Sequence, residues 1–247
     1  MRMQKVNTLV SWIQESSKIV FFGGAGTSTE SGIPDFRSAA GLYQSEQHSP
    51  YPPEVMLSHH FFIEHPEVFY DFYRSKMIHE HAKPNACHNV LADLEKRGKL
   101  KAIVTQNIDG LHQKAGSTKV LELHGSIHRN YCMGCSYYYG LEVIIGSEDI
   151  VPRCSSCGAV IKPDVVLYEE SLDQQILYQS MDAISSADLL IIGGTSLTVQ
   201  PAAHLISYFK GSRTVLLNIE PTIYDHQADL LITDPIGEVM EKMSQLI

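Results

Sequence analysis

The 247-residue sequence has no apolar run long enough to cross a bilayer. Its opening stretch, Met1 to Ser17, is too polar for a secretory signal. There is no internal repeat and no low-complexity segment. Positive charge is in deficit: 19 Lys and Arg against 28 Asp and Glu give a formal net charge of -9. General nucleic-acid binders carry a basic surface, so no direct nucleic-acid binding is expected. An acidic surface tolerates or attracts basic, lysine-bearing partners, although in many soluble proteins it serves solubility alone. Together these absences lead to the expectation of a soluble, cytoplasmic protein with no membrane partner. The length suffices for one large domain, or for a large and a small one.

What is present is a succession of short apolar runs that read as buried strands: Lys18–Phe22, Lys101–Thr105, Val120–Leu123, Leu189–Ile192, Thr214–Ile219 and Leu230–Thr233. Helical patterns lie between many of them. Val6, Leu9, Val10 and Ile13 recur at helical spacing. Pro84 opens a helix that ends at Gly98, and Pro201 opens another that closes near Gly211. Alternating strands and helices predict an α/β fold, a mainly parallel sheet with helices on both faces. Ligands of such sheets collect beyond the carboxyl ends of the strands. That gathers Gly23–Gly26, Gln106–Asp109, His124, Gly193–Ser196 and Asn218–Glu220 around one crevice. Two stretches break the alternation. One is aromatic-rich and carries a helical pattern near Phe61–Ile78; the other carries the paired cysteines. The expected division is a sheet domain from 1–38, 86–126 and 163–247, with 39–85 and 127–162 forming a smaller lobe over the crevice.

The segment from Ile19 to Arg37 is the most informative. A buried strand breaks at glycines, which let backbone N–H groups approach a ligand closely, as at phosphate-binding helix N-termini. Thr29 stands where G-x-G-x-x-G needs its third glycine, and no P-loop lysine follows. Taken alone, the loop is either a nucleotide cradle or a tight strand-to-helix turn.

Cys132-x-x-Cys135 and Cys154-x-x-Cys157 are separated by 18 residues, a spacing typical of zinc sites. Four thiolates would close the coordination sphere and leave no position for a reactive water, so the ion is expected to be structural. The fifth cysteine, Cys87, reads as a small buried helix residue. Among twelve histidines, His124 stands out because it ends a strand at the crevice, where a neutral imidazole suits a general base. His48, His59, His60, His65, His79, His81, His128, His204 and His226 read as ordinary surface or core residues.

In order along the chain come Gly24-Ala25-Gly26-x-Ser28, Gly32-Ile33-Pro34-Asp35-Phe36-Arg37, Lys83-Pro84-Asn85, Gln106-Asn107-Ile108-Asp109, His124-Gly125, the four cysteines, Lys162-Pro163-Asp164-Val165-Val166, Gly194-Thr195-Ser196-Leu197 and Asn218. Over nearly its whole length the sequence resembles the sirtuins, NAD-dependent protein lysine deacylases. The resemblance implies a Rossmann-like NAD-binding domain with a zinc-binding module and a helical insertion as the small lobe. NAD is consumed as co-substrate, one zinc is structural, and the partners are acyl-lysine proteins or peptides.

The same resemblance assigns the residues. Cofactor binding falls to Gly24, Ala25, Gly26, Ser28, Thr29, Phe36, Arg37, Gln106, Ile108, Asp109, Gly194, Thr195, Ser196, Asn218 and Glu220, with Ile236 beside adenine. Asn107 contacts the nicotinamide ribose and its water, and His124 is the general base. Val166, Leu167 and Tyr168 continue a strand from Val165 that pairs with an extended substrate peptide.

Gly23 and Thr27 depart from the family pattern, as does Glu169-Glu170 where Gly-Glu is usual. Relatives that remove succinyl or malonyl groups carry Tyr-x-x-Arg; here Arg74 falls one residue late after Tyr70, which favours acetyl or longer apolar acyls. The alternatives are a protein mono-ADP-ribosyltransferase using the same cleft, a non-catalytic NAD-binding module, and, from fold alone, a dehydrogenase.

Overall fold

The computed structural model describes residues 3–38, 41–45 and 50–247, so His48 lies outside the described residues. Among these, nine strands form: β1 (Ile19–Gly23), β2 (Leu100–Thr105), β3 (Val120–Glu122), β4 (Gly125–Cys132), β5 (Tyr138–Tyr139), β6 (Ile161–Val165), β7 (Leu189–Gly193), β8 (Arg213–Leu217) and β9 (Leu230–Ile232). Six make one sheet in the order β3-β2-β1-β7-β8-β9, every pair parallel. Counted within this sheet alone, the order is the doubly wound 3-2-1-4-5-6, which reverses between β1 and β7. The expected apolar runs hold to within one or two residues. Gly23 adds to the end of β1 because it still pairs with Thr105 and Gly193. Lys18 falls outside, its N–H taken by the Asp188 carboxylate.

Both faces of the sheet are covered, as its alternating side chains require. Ile19, Phe21, Ile191 and Val215 pack with the helices Met3–Glu15, Ala86–Lys96 and Ile236–Ser244. Val20, Phe22, Leu190 and Leu216 face the opposite way, toward Gln174–Ser186 and Ala202–Tyr208. The N-terminal helix buries Val6, Leu9, Val10 and Ile13 as its spacing predicts.

Other helix limits differ from expectation. Ala86–Lys96 starts after Asn85, whose side chain accepts the Cys87 N–H, so the cap and not Pro84 sets the start. The stretch expected to be one helix near Phe61–Ile78 is three pieces, His59–Glu64, Pro66–Phe72 and a π-turn at Tyr73–Met77. Pro66 lacks the N–H that a continuous helix would need. Ala202–Tyr208 is 3₁₀ and ends before Gly211.

The small lobe is an antiparallel sheet, β5-β4-β6, beside that helical insertion. The two inserted segments share one core: Phe61, Phe62, Phe69, Tyr70 and Tyr73 pack with Ile127, Ile144 and Ile161. Arg129 of β4 links the lobes, reaching Glu122 of β3 (2.6 Å) and Asp164 of β6 (2.7 Å). Among the described residues no helix is long and apolar enough to cross a membrane.

Candidate active site

A cleft of about 640 Å³ opens at the carboxyl ends of β1 and β7, under the small lobe. The two strand-end loops touch there without side chains between them. Gly26 N–H donates to Gly194 O (2.8 Å), and a Cβ on Gly26 would sit 2.8 Å from the Gly194 Cα. Gly194 itself has φ +58, and a Cβ there would lie 2.3 Å from the Thr27 nitrogen. Glycine is required at both positions by contact, and at Gly194 by conformation as well.

Most of the residues assigned from the sequence converge on this cleft. Gly24, Ala25, Gly26, Ser28, Phe36 and Arg37 line it from the first loop; Gln106, Asn107, Ile108, Asp109 and His124 line its floor. Gly194, Thr195, Ser196, Asn218 and Glu220 come from the far strands, and Val166, Leu167 and Tyr168 from the small-lobe side. Two are not among the residues that line it. Thr29 is exposed and donates its hydroxyl to Gly26 O, and Ile236 is buried in the core against Gly193. A separate surface hollow of about 690 Å³ lies against Arg74, Glu80 and His81 and receives none of the strand ends, so its volume does not make it the site.

The polar side chains of the floor form a network around Asn107 and Asp109 and a separate pair, Gln106 with Thr195. Asn107 is nearly buried and donates to Thr27 Oγ1 (2.9 Å) and Ser28 Oγ (3.1 Å). Ser28 donates to Asp109 Oδ2 (2.7 Å), whose Oδ1 takes the Leu111 N–H (2.8 Å). Gln106 donates to Thr195 Oγ1 (3.0 Å). Thr27, a departure from the family pattern, is therefore a member of the network, since its hydroxyl also donates to Gly24 O (2.7 Å). Asn85 was not assigned a role from the sequence. Its amide donates to Thr27 O (2.8 Å) and Ser31 Oγ (3.0 Å), tying the helix it caps to the glycine loop.

His124 sits in the turn between β3 and β4, the joint of the two lobes. Its Nδ1 is 3.0 Å from Gln106 O. A carbonyl can only accept, so Nδ1 carries the proton and Nε2 keeps a free lone pair. Burial lowers its pKa below the usual imidazole value, outweighing the Gln106 bond that raises it. The imidazole is therefore neutral near pH 7.

The small-lobe side differs from expectation in one respect. β6 ends at Val165, and Val166–Tyr168 continues as extended chain outside the sheet. Val166 N–H donates to His124 O (3.0 Å). Tyr168 is bonded at both ends to the helical insertion, its N–H to Leu57 O and its C=O from His59 N–H (each 3.0 Å). Only Val166 and Leu167 are thus clear of that bridge.

The four sulfurs of Cys132, Cys135, Cys154 and Cys157 lie within 4.8 Å of one another, with Cys132–Cys157 at 3.4 Å and Cys135–Cys154 at 3.6 Å. Tetrahedral thiolates about 2.3 Å from zinc stand roughly 3.8 Å apart, so the set fits a structural Zn²⁺. The Tyr139 hydroxyl donates to Cys154 Sγ (3.2 Å) and holds that thiol down at about 6, which favours the thiolate a metal needs. Cys87 is fully buried, and burial pushes its thiol pKa up, in keeping with an inert core residue.

Residues 24–201 match the model of the Sir2 family. The NAD-dependent protein deacetylase of Clostridium acetobutylicum is 62% identical over 239 residues, covering 97% of this chain and 98% of that protein. The NAD-dependent protein deacetylase of Clostridium tetani is 55% identical over 238 residues, 96% of each. Two solved structures align closely. A Sir2 variant with a deacetylated p53 peptide and 3′-O-acetyl-ADP-ribose has a TM-score of 0.90 at 37% identity, covering 100% of this chain and 98% of that one. Sir2Tm bound to a propionylated peptide has 0.87 at 36%, with the same coverage. With the glycine loops back to back, the histidine at the joint and the four-sulfur cluster all in one chain, the family match and the geometry agree: this chain belongs to the Sir2 family, the sirtuins.

Proposed function

We propose that the cleft removes acyl groups from lysine side chains of proteins by transferring them to ADP-ribose, with release of nicotinamide. The chain is an NAD-dependent protein deacetylase, as its relatives are. The observation that carries the residue assignment is His124, neutral, with Nε2 free and facing the same cleft as the Asn107–Asp109 network.

NAD, when bound, would supply an electrophilic ribose carbon, to which the acyl oxygen of the acyl-lysine bonds as the bond to nicotinamide breaks. The glycine loops and Thr195, Ser196 and Asn218 hold its phosphates and riboses. Asp109 orients the carboxamide, its own carboxylate fixed by Ser28 and by the Leu111 N–H. Asn107 fixes a ribose hydroxyl or ordered water, and its amide is held by Thr27 and Ser28 so that it does not rotate. Phe36 covers the reacting centre and excludes water that would hydrolyse the cofactor. His124 Nε2 would take the proton of a ribose hydroxyl, which then bonds the acyl carbon, and water would complete the exchange as the acyl carbon–nitrogen bond breaks and lysine leaves as the free amine.

The Val166–Leu167 segment receives the peptide main chain through the Val166 C=O, since its N–H groups are taken by His124 O and the Glu170 carboxylate and the Leu167 C=O accepts the Glu170 N–H. Arg74 is occupied elsewhere: it donates to Ile144 O (2.8 Å) and Asp149 O (3.1 Å), and the Tyr70 hydroxyl donates to Ile161 O. Neither offers a partner to an acyl carboxylate in the cleft, which favours acetyl and longer apolar acyls. We assign 39–85 and 127–162 to the small lobe and the remainder to the NAD-binding domain.

The test is incubation with NAD and a panel of acyl-lysine peptides, with products read by mass spectrometry. O-acyl-ADP-ribose, nicotinamide and free lysine are expected, with the rate down by roughly 10²-fold or more in His124→Ala. ADP-ribose left on protein, with His124→Ala unimpaired, would instead identify a transferase.

A further inference from the structure

Glu169 is one of three residues other than glycine with positive φ among the described residues (φ +77). That conformation suits glycine and disfavours a residue with a Cβ. The residue lies on the wall of the cleft, immediately after the segment Val166–Tyr168. Its side chain folds onto the first turn of the helix His59–Glu64. Oε2 accepts the His60 N–H (3.1 Å), and Oε1 lies 2.7 Å from His60 Nδ1. Glu170 repeats the arrangement: Oε1 is 2.8 Å from His59 Nδ1, while Oε2 accepts the Leu167 N–H (2.9 Å) and meets Lys162 Nζ (3.1 Å). Together with the two backbone bonds between Tyr168 and Leu57 and His59, every residue from Tyr168 to Glu170 is fastened to the helical insertion.

We infer that His60 and Glu169 form a latch that holds the turn after Tyr168 in its left-handed conformation and so positions the Val166–Leu167 edge for the substrate peptide. This rests on the deacetylase reading above. The reasoning is conformational. If Glu169 relaxes to negative φ, the chain leaves Tyr168 in another direction, the bonds to Leu57 and His59 are strained, and the Glu170 carboxylate shifts off the Leu167 N–H. The latch offsets that tendency and draws the Glu169 side chain toward His60. Glycine at this position would hold the same turn without a latch. His60 is therefore a positioning residue for the peptide and makes no contact with the polar network of the NAD-binding floor.

The experiment uses the full chain with its zinc, a fluorescent acetyl-lysine peptide and anisotropy to read affinity, alongside steady-state kinetics and a thermal melt that verifies folding. His60→Ala is expected to weaken peptide binding roughly tenfold and raise the peptide KM in parallel, with kcat and the NAD KM changed less than about twofold. In a Glu169→Gly background, His60→Ala is expected to have no effect on peptide affinity, because glycine needs no latch. Unchanged affinity in His60→Ala overturns the proposal, as does a double variant as weak as His60→Ala alone. A wild-type protein that neither binds nor deacylates the peptide overturns the deacetylase reading and the latch with it. An active wild type with a silent His60→Ala overturns the latch only.

Discussion

At the scale of the residue, the chemistry depends on which imidazole nitrogen is free and on the imidazole being neutral. The bond from His124 Nδ1–H to Gln106 O fixes the first, and burial, which lowers the pKa against the opposing effect of that bond, fixes the second. A base with a lowered pKa stays unprotonated as the solution becomes acidic. The acidic limb of kcat/KM is accordingly expected below about pH 6.5, the ordinary imidazole value. A pH–rate profile with saturating NAD checks this. A limb at or above that pH would assign the base role to another group. The same scale explains Thr27. A small apolar residue would fill its place, but its hydroxyl both closes the turn onto Gly24 O and receives the Asn107 amide, so this substitution adds a partner to the network.

At the scale of the element, the first glycine loop is not held by strand pairing alone. Asn85 caps the helix Ala86–Lys96 through the Cys87 N–H and uses the other end of the same amide to bind Thr27 O and Ser31 Oγ. One side chain thus joins helix stability to loop position. Asn85→Ala is expected to cost about 0.5–2 kcal/mol in urea denaturation, the usual range for a lost cap. It should also weaken NAD binding, because the loop loses its tether; isothermal titration measures that directly. A stability loss with unchanged NAD affinity would make Asn85 a cap and nothing more. The strand ends were readable from the sequence because apolar runs give way abruptly to glycine and polar residues. The breaks inside the helical insertion were less readable, because the apolar period runs on across Pro66 and the backbone departs from it there.

At the scale of the whole molecule, two buried histidines beneath the cleft set a response to acid. His88 and His112 are both fully buried, with ring centroids 4.7 Å apart, and burial holds their pKa values at about 4 and about 3. Both values lie below the unfolded value near 6.5, so the unfolded chain takes up protons first as pH falls. Their effect is absent above about pH 6.5 and destabilises the fold progressively below it. Linkage at about 1.4 kcal/mol per pH unit and proton gives a loss on the order of 4 kcal/mol for the pair between pH 7 and pH 5. Urea denaturation across that range measures it, and His112→Phe should remove about half of the pH-dependent part. A slope unchanged by that substitution would show that other groups take up the protons.

Much of the site could be read from the sequence because its determinants are local. A glycine where two loops must touch, polar residues at strand ends and cysteines three positions apart around a turn are set by backbone geometry over a few residues. Helix and strand periodicity likewise fixed the α/β alternation. What the sequence did not contain were the long-range partners. That Asn85 would reach Thr27, that Thr29 and Ile236 would not line the cleft, that Tyr168 would be bridged to Leu57 and His59, and that Glu169 would take a left-handed conformation beside His60 depend on contacts between distant segments. The residue types and their order along the chain determined the chemistry available. Packing of the small lobe against the sheet decided which of those groups meet, because hydrogen bonding and burial act on neighbours in space.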